Sequence, residues 1–93
     1  MIIGKIVGSV IATRKNENLS GNKFLIVEAM KELGFGNSER IVAVDNVGAG
    51  IGEIVLVATG SAARVCCGNE NSPIDAMIVG IVDSPNEIVI NKN

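Results

Sequence analysis

The stretch DNVGAGIGEIVLVATGSAAR, residues 45–64, runs from the end of one apolar strand through a turn with glycines at 48, 50 and 52. It continues as a dense strand at 53–58 and leaves through Thr59, Gly60 and Ser61 into a short alanine-containing segment. Glycines this close together serve tight curvature or close backbone approach, because they reach positive φ without a Cβ penalty. A phosphate-binding loop would need a Lys-Ser/Thr pair, or a glycine fingerprint that opens a long helix. These glycines open a strand, which favours a structural turn. Asp45 and Glu53 flank that turn, where carboxylates commonly accept hydrogen bonds from turn amides. Asp75 and Asp83, at the two ends of a later strand, read the same way.

Outward from this stretch the chain reads as a succession of short strands. Residues 2–13 form a first strand with Ile2, Gly4, Ile6, Gly8, Val10 and Ala12 on one face, a pattern that implies a sharp bend or close packing at the glycines. A polar hairpin end at 14–18 and a turn at 19–22 lead to a second strand at 23–28. Residues 29–39 read as a helical turn or hairpin loop, cut short by Gly34 and Gly36. A third strand occupies 40–45 and a fourth 53–58. Residues 61–66 make a helix of one or two turns with Ser61 as its N-cap, ended by Gly68 and Asn69. Asn71-Ser72-Pro73 is a rigid turn, 76–83 a fifth strand, and 87–90 a short last one. The expected architecture is therefore all-β, a single domain over residues 1–93: a small OB-like β-barrel of five to six strands with one short helix.

Composition then limits the function. The 93 residues are 47% hydrophobic but only 2% aromatic, with no His, Trp or Tyr. Such a chain must pack a tight aliphatic barrel or share apolar surface with copies of itself. In Ile54-Val55-Leu56-Val57, Met77-Ile78-Val79 and Ile81-Val82 both faces are apolar, whereas the outer wall of a small barrel normally alternates polar. Burial against other subunits is the simplest account, and it implies an obligate oligomer. Val57 and Val79 are candidate interface residues, although alternation leaves open which of these side chains point out.

The net charge of −2 marks neither nucleic acid nor an anionic membrane as a partner. A stacking platform is not evident, and Arg14, Lys15 and Lys23 read as a solvated turn. No stretch approaches the ~20 apolar residues that span a bilayer, and no targeting segment is expected. The adjacent Cys66 and Cys67 read as reduced thiols of a cytoplasmic protein. Without histidine they make a poor zinc site, and without a general base, at the wrong end of a helix, they make poor nucleophiles. The expectation is no catalytic residue, no metal and no cofactor. An OB-type binding module and a small oligomeric enzyme subunit are the competing readings.

Three blocks carry a resemblance: MIIGKIVGSVIATRKNENLSGNKFLIVE (1–28), AVDNVGAGIGEIVLVATGSAAR (43–64) and SPIDAMIVGIVD (72–83). Together they closely resemble the EutN/CcmL family of bacterial microcompartment vertex proteins. The resemblance implies a small barrel assembled as a homopentamer that closes the five-fold vertices of a cytoplasmic shell, among hexameric tiles. Gly48, Gly50, Gly52 and Glu53 match the family's glycine-rich turn, and Gly60, Ser61 and Arg64 its glycine-serine-arginine stretch. Asp75 and Asp83 bracket its late strand. Five copies of Gly48-Ala49-Gly50, or of Gly60-Ser61, could then meet around a narrow central opening; the competing reading is that these glycines only bend the chain. Arg64 is a candidate interface residue, paired with Asp45, Glu53 or a neighbour's carboxylate or carbonyl oxygen. The glycine-containing segment 34–38 departs from the resemblance, and through it tile preference would differ.

Overall fold

The computed structural model describes residues 1–12, 23–30, 39–67 and 74–91. The expected turns at 14–18, 19–22 and 71–73, the loop core at 31–38, the helix stop at Gly68 and Asn69, and the thiols of Cys66 and Cys67 lie outside the described residues. The elements in order are β1 (Ile2–Val10), β2 (Lys23–Ala29), β3 (Arg40–Asp45), β4 (Ile54–Thr59), α1 (Ser61–Cys67) and β5 (Ala76–Val82), followed by a single 3-10 turn at Pro85–Glu87. The strands close into a barrel in the order β1-β2-β3-β5-β4. Neighbours run antiparallel except β3 and β5, which are parallel. The architecture is thus mostly β, a five-stranded closed barrel with one short helix, as the strand pattern implied.

The interior is aliphatic. Ile6, Leu25, Val27, Val55, Val57 and Ile78 are its largest fully buried side chains, with Ala43, Ala49 and Ala76 filling the remaining space. Gly4 marks the tightest crossing. A Cβ there would stand 2.6 Å from Val27 Cγ1 and 2.7 Å from the Glu28 carbonyl oxygen, so β1 can lie this close to β2 only without a side chain.

Gly8 does not share that face. The β1–β2 register passes from Ile6↔Val27 to Gly8↔Ile26, leaving Val7 as one extra residue, a β-bulge. One inserted residue reverses every later side chain. Gly8 and Val10 therefore pair with the outward Ile26 and Phe24, and the expected single face from Ile2 to Ala12 is broken at its middle. A second bulge falls in β5, where Val57↔Ile78 is followed by Leu56↔Gly80 and Val79 is the extra residue.

A second, smaller cluster lies outside the barrel wall. Val44, Ala63, Ile74 and Met77 are buried together, with Phe24 and Val79 packed against them. Helix α1 supplies Ala63 and so covers part of the outer face of β3 and β5 from within the same chain. This corrects the expectation that other subunits alone cover the outward apolar residues. The helix begins at Ser61 itself, and Gly60 at φ 64° stands where the serine cap was expected.

The expected last strand at 87–90 is absent. Ser84 accepts from the Asn86 amide and Pro85 opens the 3-10 turn. A closed barrel of five strands offers no lengthwise edge for a sixth. Gly4→Ala is expected to destabilise the protein by about 1–3 kcal/mol, because backbone as well as side chain must move. Gly8→Ala, whose Cβ would meet Ile26 at an ordinary 3.4 Å, is expected to be close to neutral. Denaturant unfolding at matched protein concentration checks both.

Candidate assembly surface

The glycine turn between β3 and β4 is wired by its two flanking carboxylates. Asp45, whose side chain is only 3% exposed, accepts from the Val47 amide at Oδ1 (3.1 Å) and from the Ala49 amide at Oδ2 (3.0 Å). Glu53 Oε1 accepts from the Gly50 amide at 2.6 Å. The ammonium of Lys23 donates to the Ala49 carbonyl at 3.2 Å and lies 4.0 Å from Asp45 Oδ2. Gly48 and Gly52 take φ of 80° and 92°, which side chains rarely adopt. The Gly52 amide then donates to the Ile6 carbonyl and the Ile6 amide to the Glu53 carbonyl, tying the turn to β1. The turn-amide role read for Asp45 and Glu53 is therefore the one they play, while Asp75 and Asp83 are exposed.

The candidate axis residues separate on inspection. Gly48 is exposed and Gly50 half-buried, but the Ala49 side chain is buried in the barrel core. Only the backbone of Ala49 is therefore available to line an opening. Gly60 and Ser61 are exposed at the other end of β4, held by the Gly60 amide on the Asp75 carbonyl at 2.7 Å. A six-residue strand is about 20 Å long, so the two turns do not meet in one constriction.

The candidate interface residues separate as well. Val57 is fully buried among the core side chains, so it cannot be a subunit contact. In the alternation Ile54-Val55-Leu56-Val57 the outward members are Ile54 and Leu56, which pair across β5 with Val82 and Gly80. Val79 is half-buried against the cluster under α1. Arg64 sits half-buried on α1.

Sequence reading missed several exposed apolar groups on the turn, the helix and β3. Ile51 at the glycine turn is 70% exposed and Val65 on α1 is 67% exposed, and Val42 and Val47 are also open. The available signal was a valine and an isoleucine set among turn glycines, where polar residues are the rule. Among the described residues no helix is long and apolar enough to cross a membrane.

A family model, ethanolamine utilisation protein EutN/carboxysome, matches residues 1–83. The chain belongs to the EutN/CcmL family. It is 50% identical over 84 residues to the bacterial microcompartment shell vertex protein GrpN of Rhodospirillum rubrum, covering 90% of this chain and 94% of that protein. It is 48% identical over 86 residues to the carboxysome shell vertex protein CcmL of a Synechocystis species, covering 92% of this chain and 86% of that one. In three dimensions, GrpN, a pentameric microcompartment shell protein, superposes with a TM-score of 0.77 at 49% identity over 90% of this chain and 95% of that one. The CcmL of Nostoc sp. PCC 7120 gives 0.79 at 45% identity over 89% and 88%. The family forms oligomeric shell assemblies with other shell proteins.

Asp45→Ala is expected to cost about 1–3 kcal/mol, since two turn amides lose their acceptor. Lys23→Ala, removing a long ion pair whose lysine end is exposed and one hydrogen bond, should cost under about 1 kcal/mol. Denaturant midpoints of the two variants test this order.

Proposed function

We propose that this chain is a structural shell protein that closes the vertices of a cytoplasmic bacterial microcompartment. The supporting observation is the family match over residues 1–83, together with 50% identity along nearly the whole length of a named shell vertex protein. The role is architectural rather than catalytic, in keeping with the family.

The finer part of the reading is a homopentamer set among hexameric tiles. Two solved relatives support the five-fold state: GrpN, and the pentameric shell protein MSM0273 of the RMM microcompartment, which is 34% identical across the full length of both chains. Physical chemistry supports it too. A cyclic ring uses two different faces of each protomer, and exposed apolar groups occupy separate elements here: Val42 on β3, Val47 and Ile51 on the glycine turn, and Val65 on α1. In this arrangement either Gly48-Ala49-Gly50 or Gly60-Ser61 approaches the axis, and Arg64 and Val79 border the neighbouring subunit.

Native mass spectrometry at micromolar concentration is expected to find five copies. Ile51→Glu, which places a charge where an apolar contact is proposed, should raise the dissociation concentration while the isolated fold survives. A well-folded monomer of the unaltered chain would contradict the proposal. In cells, deleting the gene should leave facets assembling into elongated or leaky shells. Normally closed polyhedra, with no substitute vertex protein present, would exclude the capping role.

A further inference from the structure

The C-terminal segment and a groove beside β3 are each incomplete, and they sit at opposite ends of β5. After the 3-10 turn the backbone at Ile88 is extended (φ −93°, ψ 111°), and Val89 and Ile90 are 77% and 57% exposed. The run Glu87-Ile88-Val89-Ile90-Asn91 has the β-branched composition of a strand, yet no strand among the described residues pairs with it. At the far end of β5, the parallel ladder to β3 holds only Val44↔Met77 and Asp45↔Ile78. Among the described residues, the first half of β3 is thus left outside that ladder. A groove of about 450 Å³ opens there, lined by Ile2, Ile41, Val42, Thr59, Asp75 and Ala76 among others.

One chain cannot readily bring its own two parts together. β5 has seven residues and is about 23 Å long. The segment 84–90 is no longer than that, spends three residues in the 3-10 turn, and would have to reverse at once. A neighbouring copy has no such difficulty, because a tail leaving one end and a groove opening at the other form a head-to-tail contact, the kind that closes rings.

We propose that residues 87–91 of one protomer add as a strand alongside the first half of β3 in a second copy of this chain, with apolar side chains entering the groove. Strand addition would supply main-chain hydrogen bonds, and alternate side chains would fill the pocket. The segment lies beyond residue 83, where the family match ends, although relatives such as MSM0273 align across the full length of this chain. It rests on the ring reading above.

The test compares the full chain with a chain ending at Asn86 and with the double variant Val89→Ser/Ile90→Ser, using native mass spectrometry across a dilution series. Both side chains are exposed, so the double variant should keep its circular dichroism spectrum. Its ring should dissociate at a concentration about tenfold higher or more. In a second arm, Val89→p-benzoylphenylalanine is photolysed in rings of mixed isotopic labelling. The expected cross-link joins two chains and falls on the peptide containing Ile41 and Val42. Unchanged dissociation of both tail variants, or a cross-link confined to one chain, overturns the tail contact while leaving the vertex reading intact. Failure of the full chain itself to form a ring would count against the vertex reading and the tail contact together.

Discussion

Closure of a barrel from five strands is the constraint on which the rest of this molecule depends. Barrel diameter grows with strand number, and at five the interior admits only one tier of modest side chains at any level. That is why the core is Ile, Leu, Val and Ala, why β1 meets β2 through Gly4, and why Val7 and Val79 stand out as bulges where the wall turns. A chain confined in this way has more aliphatic side chains than its interior can hold. Some of the surplus is covered by α1 from within the chain. The remainder is exposed along and just past β1, on β3, on the glycine turn, on the helix and in the C-terminal tail, and that remainder makes association the natural outcome.

The glycine turn connects closure to assembly. Its backbone doubles back between β3 and β4 at φ values that suit glycine, and Asp45 and Glu53 absorb the amides that such a path leaves without partners. With its backbone satisfied internally, the turn can hold Val47 and Ile51 outward in a fixed position rather than as a loose loop. A fixed apolar point on a rigid barrel suits a ring. Each protomer must present the same shape to the next, and any angular error accumulates around the axis.

Much of this was legible in the sequence, for identifiable reasons. The strand β3 was bounded to the residue, because Arg40 and Asp45 are polar ends on an apolar run. The other strands were placed within a few residues by glycine and proline punctuation. The roles of Asp45 and Glu53 followed from their position beside a turn. What failed was orientation. Period-two reading assumes an unbroken ladder, and a single bulge at Val7 moved Gly8 and Val10 to the other face. In the run Ile54-Val55-Leu56-Val57, where every residue is apolar, the pattern holds no inside or outside, so orientation stayed open and the candidate interface residue Val57 proves wholly buried. The segment 87–90 has strand composition but lacks a strand partner in its own chain, and composition does not reveal partners. The burial of Ala49 was hidden for the same reason: a small residue between glycines carries no periodic signal.

The central claim is that this protein occupies the vertices of its shell, and the most direct measurement is cryo-electron microscopy of closed shells co-assembled from this chain and its facet tiles. The account predicts density for five copies of the barrel at each five-fold position, with β1 to β5 fitting as a rigid body. Barrels located within the facets or only in the lumen, with the vertices filled by another protein, would contradict it.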